Sequence, residues 1–197
     1  MNLKEKSQAV IELFNQLEME TQKYTCQSKL NCFKGCSQCC SQPNVSATVL
    51  EFLPLAFELH RLGKAEETLD QITSRKPEAF CIILKQLSPS QDAGKCSFYA
   101  QRGLICRLFG NAARLNKNGK RELITCKLLK EKKAQEFFSL SEKLTNGLNI
   151  PISRDFYLQL YSIDYHLAGQ QIPINKAIQK SIEAVLSYYF YTEGEAV

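Results

Sequence analysis

The sequence predicts a mainly α-helical domain that contains a cysteine-rich layer of loops and one small β-hairpin. Apolar residues recur at helical spacing over most of the 197-residue chain, which places them on one face of each helix. Four cysteines fall between positions 32 and 40, and an Asn-Gly pair lies between two short segments further on.

Composition is that of a globular protein. Hydrophobic residues make up 44% of the chain and charged residues 23%, as in ordinary folded domains. There is no run of 18 apolar residues, so no transmembrane helix and no membrane partner are expected. The net charge of +5 is modest and no dense basic stripe is interleaved with aromatic residues, so no nucleic-acid partner is indicated.

The first helix is predicted over residues 3–24. Its apolar face comprises Leu3, Val10, Leu13, Phe14, Leu17 and Tyr24. After the cysteines, Thr48 and Glu51 form a capping-box pattern before an apolar run that stops at Gly63. Pro54 lies inside this run and should kink the helix or reset its start. Two short helices are expected next, over residues 64–72 and 77–87.

A β-hairpin is predicted over residues 112–125, because Asn118-Gly119 is a strong signal for a tight hairpin turn. Residues 88–95 are expected to form a loop. Three helical patterns follow the last cysteine, over residues 131–148, 153–169 and 175–191. We therefore expect a cysteine-cluster region with flanking helices over residues 1–130, and a C-terminal helical extension over residues 131–197 packed on it as one compact unit.

The cysteines indicate metal or redox chemistry rather than a disulfide framework. The chain starts without the apolar segment of a signal peptide, so we expect a cytoplasmic protein in a reducing compartment. Clustered cysteines there act as metal ligands or redox groups. The odd total of nine also fits poorly with complete pairing. Free cysteines can instead be buried as small apolar residues, which is the interpretation favoured for Cys26.

Cys32, Cys36 and Cys39 have the spacing of ligands to a soft metal, which usually lie two to four residues apart on a tight turn. Gly35 supplies the backbone freedom that such a turn needs. Consecutive side chains diverge, so Cys39 and Cys40 would serve two centres or two corners of one cluster. The distant ligands would come from Cys81, Cys96, Cys106 and Cys126. For Cys81, in an apolar stretch, burial in a core is an equal alternative.

These residues carry a resemblance to a known family. The stretches CFKGCSQCC (32–40), GKCSFYAQRGLICRLFG (94–110) and ITCKL (124–128) resemble the CxxCxxCC family of zinc- or iron-chelating proteins, the YkgJ-like cysteine-cluster proteins. The resemblance covers about residues 26–130. The family's later block is matched one by one by Cys96, Phe98, Tyr99, Arg102, Cys106 and Arg107, whereas Gly103 stands where the family usually has proline. The resemblance implies bound zinc or iron.

Tyr99, Arg102 and Arg107 are expected to surround the metal ligands. Several thiolates leave net negative charge, and arginine can donate hydrogen bonds to sulfur and offset that charge. The alternative is that these arginines pair with surface carboxylates.

Two function classes remain open. One is an iron–sulfur protein, with a 4Fe-4S cluster in a redox or sensing role; the other is a helical interaction module held together by two four-cysteine zinc sites. The lack of nearby histidine slightly favours the cluster, and the division of eight cysteines into two fours slightly favours zinc. We favour the cluster narrowly. The protein partner is unknown.

Catalysis has less support. Cys32, Cys36 and Cys39 also have the spacing of radical S-adenosylmethionine enzymes, but Gln38 stands where those enzymes usually have an aromatic residue. Flagellin lysine N-methylases carry a similar cysteine region, yet no site for a methyl donor accompanies it here. A metal-dependent methyl-transfer or radical enzyme is the weaker alternative, and catalytic residues are unknown. The histidines, His60 and His166, are expected to be packed or surface residues.

Overall fold

The computed structural model describes residues 1–28, 30, 32–33, 35–42, 44–75, 80–87 and 93–193. Most of these residues are helical, which confirms the mainly α-helical fold. The helices are α1 (Leu3–Ser28), α2 (Leu53–Arg61), α3 (Ala65–Thr73), α4 (Leu104–Leu108), α5 (Lys127–Lys132), α6 (Ala134–Thr145), α7 (Ser153–Ile163), α8 (Tyr165–Ala168) and α9 (Ile174–Glu193). Short 3₁₀ helices cover Leu50–Phe52 and Tyr99–Gln101. None of the described helices is both long and apolar enough to span a membrane.

The strands form small antiparallel pairs. The strands are β1 (Ser46–Ala47), β2 (Leu84–Gln86), β3 (Gly94–Cys96), β4 (Ala113–Leu115), β5 (Arg121–Leu123) and β6 (Ile172–Pro173). Within the described ranges β1 pairs with β6, β2 with β3 and β4 with β5. The β4–β5 pair is the predicted hairpin. Its turn contains Gly119 at a φ of 74°, and the Asn116 side chain accepts hydrogen bonds from the backbone N–H groups of Asn118 and Lys120.

The helix predicted over residues 77–87 is wrong for the part that the structure describes. Residues 80–87 form a turn followed by β2, and β2 pairs with β3, Leu84 lying opposite Cys96. A short apolar run is compatible with a buried strand and with a buried helix. Here the pairing with β3 makes residues 84–86 a strand. β3 also begins at Gly94, within the loop expected over residues 88–95. Residues 76–79, including Pro77, and 88–92 lie outside the described residues.

The described chain divides into two compact units. The first unit comprises residues 1–11, 35–103 and 160–197, and the second comprises residues 12–34 and 104–159. In the first unit α2 packs against α3 and α9. The predicted apolar faces are buried there: Leu53, Leu55 and Leu59 on α2, and Ile178 and Ile182 on α9.

The predicted capping box precedes α2. Glu51 Oε1 accepts hydrogen bonds from Thr48 N at 2.7 Å and Thr48 Oγ1 at 3.0 Å, and Glu51 N donates to Thr48 Oγ1. Pro54 resets the helix start as expected, since a 3₁₀ turn ends at Phe52 and α2 begins with proline in its first turn. The run stops near Gly63, which has a φ of 65°.

The second unit has its own core, formed by Tyr24, Leu30, Ala113, Leu129, Leu140, Leu144 and Ile150. The Tyr24 hydroxyl donates a hydrogen bond to the backbone carbonyl of Asn111, and burial raises the pKa of this tyrosine well above its ordinary value. Tyr24 is the last apolar residue of the predicted first helix, which extends to Ser28 in the structure.

Candidate metal centre

Backbone hydrogen bonds join three segments of the first unit that contain cysteines. Gly94 N donates to Gly35 O at 3.0 Å, and Cys36 forms a backbone bridge with Ala93. Cys81 N donates to Cys40 O at 3.3 Å. Because β2 follows Cys81 and its partner β3 ends at Cys96, the fold joins the segment at 35–41 to both distant cysteines.

Gly94 permits this close approach. A Cβ atom at position 94 would lie 2.9 Å from Leu84 Cδ1 and 3.0 Å from the Cβ atom of buried Ser37. A larger residue would therefore push β3 away from the cysteine segment or from β2. This role of Gly94 was not predicted from the sequence, although glycine within a strand is a known signal of close backbone approach.

The consecutive thiols of Cys39 and Cys40 interact directly. The Cys40 thiol donates a hydrogen bond to the sulfur of Cys39, which lowers the pKa of Cys39 to about 6 despite partial burial. Backbone N–H groups and the charge of Arg102 act in the same direction. Since the thiolate is the form that binds metals, Cys39 is prepared for ligation near neutral pH.

Cys81 and Cys96 lie in the electrostatic surroundings of the same pair. Cys81 is buried, and burial raises its pKa to about 12, with negative charge on Cys96 and Cys39 adding to the rise. Burial also raises the pKa of Cys96, and the charge of Arg102 opposes that rise. Neither thiol ionises readily by itself, so a bound cation is what would release their protons.

The charge of Arg102 acts on two of these sulfurs. Its guanidinium carbon lies 4.1 Å from the ring centroid of Tyr99, and its charge favours the thiolates of Cys39 and Cys96. Tyr99 is 63% exposed, so its ring lies between one face of the guanidinium and the solvent. In this position Tyr99 supports Arg102 by stacking.

Packing explains why glycine occupies position 103. A Cβ atom at this position would lie 2.7 Å from Phe52 Cζ and 2.8 Å from Glu51 Oε2. Phe52 and Glu51 are both fully buried, so neither can move aside easily. The residue that replaces the family's usual proline is therefore required by the local core.

The remaining candidate ligands described by the structure lie in the second unit. Cys32 is exposed, and Cys106 lies on α4 and is half-buried. Cys126 caps α5, where its sulfur accepts a hydrogen bond from Leu129 N at 3.3 Å, and it packs on the core of the second unit. The side chain of Cys26 lies outside the described part.

Arg107 also belongs to the second unit. Its guanidinium lies 3.6 Å from a carboxylate oxygen of Glu18 and 4.4 Å from the Phe14 ring centroid. These contacts match the alternative in which an arginine pairs with a carboxylate.

The described side chains do not form a complete set of metal ligands. No group of three or more histidine, cysteine, aspartate or glutamate side chains in the described ranges is arranged to hold a metal ion. None of the eight described cysteines is in a disulfide. The donor set of the first unit consists of thiols, which fits a soft metal. His60 stacks on Tyr189 at 3.9 Å, and His166 is exposed, so both have the packed or surface positions expected.

A known family model matches the cysteine-rich part of the chain. Residues 31–127 match the CxxCxxCC family, described as "Putative zinc- or iron-chelating domain". The cysteine-rich segment is therefore similar to the CxxCxxCC family. The match spans just under half of the chain and contains all eight predicted ligands, from Cys32 to Cys126. No curated protein and no solved structure matches the chain significantly.

The match to the CxxCxxCC family supports metal binding by residues 31–127. The family description names zinc and iron as the two metals, and thiolate ligands are suitable for both. The CxxCxxCC match includes the first-unit cysteines and Arg102 as well as the second-unit cysteines.

Proposed function

We propose that the protein binds a 4Fe-4S cluster through Cys39, Cys40, Cys81 and Cys96 and uses it in redox chemistry or sensing. One observation carries the proposal. The thiols of Cys39 and Cys40 are hydrogen-bonded, and charge on Cys39 and Cys96 acts on Cys81, so four sulfurs from three segments share one electrostatic environment.

A cluster suits this donor set better than a single zinc ion. Zinc draws four ligands to about 2.3 Å from one point, which is demanding for consecutive residues whose side chains diverge. A 4Fe-4S cluster accepts one thiolate at each of its iron corners, so Cys39 and Cys40 can reach separate corners. The donor set also lacks histidine, which is common in zinc sites.

The surroundings can offset the charge of such a cluster. Four thiolates carry more negative charge than the cluster core neutralises, and Arg102 supplies a positive charge beside Cys39 and Cys96. Ser41 Oγ, next to Cys40, is buried and has no hydrogen-bond partner. A buried hydroxyl in this position needs an acceptor, and a ligand sulfur would provide one. Both groups would raise the reduction potential.

A second candidate is a structural protein with two zinc sites. It is favoured by the number of predicted ligands, since these eight cysteines divide into two sets of four. In that case the metal would contribute folding free energy on the order of 10 kcal/mol per site.

A radical or methyl-transfer reaction is not part of the proposal. Within the described ranges the strands form only two-stranded antiparallel pairs, unlike the parallel barrel of the radical enzymes. The proposed location is the cytoplasm, because many reduced thiols persist in a reducing compartment.

Serine variants test the proposed ligand set. Cys81→Ser and Cys96→Ser, purified and reconstituted with iron and sulfide without oxygen, are expected to lose most of the bound iron and sulfide. The matched control is Cys106→Ser, in the second unit, which is expected to retain both. Wild-type amounts of iron and sulfide in both first-unit variants would overturn the assignment. Equal zinc loss in first- and second-unit variants would instead favour two zinc sites.

A further inference from the structure

We infer that Asn175, in the first turn of α9, is a positioning residue for Cys81, an inference that rests on the proposed function. The Asn175 side chain accepts a hydrogen bond from Ile82 N at 2.8 Å and donates one to Phe80 O at 3.0 Å. These are the residues on either side of Cys81, so one amide holds the backbone before and after the proposed ligand.

The backbone around Cys81 needs such support. β2 begins only at Leu84, so residues 80–82 have no strand partner of their own. Cys81 N donates to Cys40 O at 3.3 Å, a longer bond than either bond of Asn175. An asparagine offers both a donor and an acceptor in fixed geometry. With these contacts, the direction in which the Cys81 side chain leaves the backbone is fixed.

The neighbouring residue of α9 holds the other ligand segment. Ile174 N donates to Val45 O at 2.9 Å, and β6, just before α9, pairs with β1 at Ser46–Ala47. Val45 follows Cys40 by five positions in the sequence. Ile174 and Asn175 therefore connect the start of α9 to the segment after the Cys39–Cys40 pair and to the segment of Cys81.

This support comes from outside the matched family segment. Asn175 lies 93 and 95 residues from its two partners, and the family match ends at residue 127. The C-terminal helix thus takes part in shaping the metal centre. Removing the Asn175 amide should loosen Cys81 while leaving the Cys39–Cys40 pair in place.

The first experiment measures thiol accessibility in the reduced, metal-free full-length protein. Iodoacetamide is added under native conditions, and the alkylation rate of each cysteine is followed by mass spectrometry. Asn175→Ala is expected to increase the rate at Cys81 about tenfold, the equivalent of the loss of one or two hydrogen bonds, with little change at Cys126. Asn175→Asp keeps the acceptor and loses the donor, and should give a smaller increase.

The second experiment measures metal affinity. Co²⁺ is titrated into the same variants in competition with a chelator, and Asn175→Ala is expected to weaken binding about tenfold. The matched control is Ser181→Ala, which removes other side-chain hydrogen bonds of α9, to Val49 O and Ala177 O. It should lower thermal stability and leave both Cys81 alkylation and Co²⁺ affinity near wild type.

Two results would overturn the positioning role. One is an unchanged Cys81 alkylation rate in Asn175→Ala, and the other is an equal rate increase at Cys81 and Cys126, which would indicate general loosening. Because alkylation needs no bound metal, it tests the role of Asn175 separately. A wild-type protein that binds no metal would refute the proposed function and leave the alkylation result to decide the inference.

Discussion

The Cys40 thiol donates a hydrogen bond to the sulfur of its chain neighbour Cys39. This contact holds one of the two sulfurs ready to act as a thiolate near neutral pH. The same pair is joined through the backbone to Cys81 and lies in the electrostatic range of Cys96. The pKa of Cys39 is therefore a sensitive test of the contacts among these cysteines in the first unit.

Replacing Cys40 by alanine should raise the pKa of Cys39 from about 6 toward its ordinary value of 9.0. The donor that stabilises the thiolate is lost, so less thiolate is present at pH 7. We expect the pH at which alkylation of Cys39 is half-maximal to rise from about 6 in the metal-free protein. The pH profile of alkylation, followed by mass spectrometry, measures the shift. A profile unchanged from wild type would contradict the hydrogen bond; Cys106→Ala serves as control.

Replacing Arg102 by glutamine should weaken metal binding. The guanidinium charge favours the thiolates of Cys39 and Cys96, and partners around metal ligands typically contribute about 10–100-fold to affinity. We expect a loss of about tenfold in a competition assay. Arg114→Gln removes an exposed arginine that pairs with Glu122 and should bind metal normally. Equal losses in the two variants would show that Arg102 acts only through overall charge.

Replacing Gly103 by alanine should destabilise the protein by about 1–3 kcal/mol, the usual cost of overpacking a core. The added methyl group would overlap Phe52. Chemical denaturation measures the free energy of unfolding for Gly103→Ala, Phe52→Leu and the double variant. Because leucine leaves room for the methyl group, the double variant should lose less than the two single variants together. Strict additivity would mean that the two residues do not share this space.

Replacing Asp164 by asparagine should cost stability at neutral pH and little at low pH. Burial favours the neutral acid, but hydrogen bonds from Lys6 and from Leu167 N outweigh it and lower the pKa of Asp164. The contribution of its charge is therefore complete above the unfolded pKa, about 3.9, and is lost as pH falls toward the folded value. We expect a loss of about 1–2 kcal/mol at pH 7.

Denaturation curves of wild type and Asp164→Asn at several pH values check this expectation. The difference in unfolding free energy between the two proteins should shrink as pH falls from 6 toward 3. A difference that stays constant over this range would mean that the charge of Asp164 contributes nothing. Glu58→Gln is a suitable control, since Glu58 pairs with Arg61 at the surface and surface pairs contribute little.

Structural features that depend on contacts between residues close in the sequence could be predicted. The capping box of Thr48 and Glu51, the reset at Pro54 and the Asn118-Gly119 turn each depend on contacts a few residues apart. Such contacts are determined mainly by local propensity and hydrogen bonding. The spacing of Cys32, Cys36 and Cys39 likewise carried the resemblance to the family whose model matches residues 31–127, whereas their role as metal ligands stays a prediction.

Features that depend on distant partners could not be predicted. β2 was taken for a helix because its apolar sequence is compatible with both structures, and only pairing with β3 distinguishes them. The need for glycine at position 103 arises from Phe52, and the support of Cys81 comes from Asn175. The partners in the β2–β3 pair are 8 to 12 positions apart, and those of Gly103 and Asn175 are 51 to 95 positions apart; hydrophobic periodicity in the sequence does not indicate which of these residues are in contact.

The central claim is that the first-unit thiols hold an iron–sulfur cluster. The most direct test is the visible absorption spectrum of protein purified without oxygen, with analysis of iron, acid-labile sulfide and zinc in the same sample. We expect a brown protein with iron and sulfide in equal amounts, about four of each per chain for one 4Fe-4S cluster. A colourless protein that carries zinc, and that takes up no iron and sulfide on reconstitution, would contradict it.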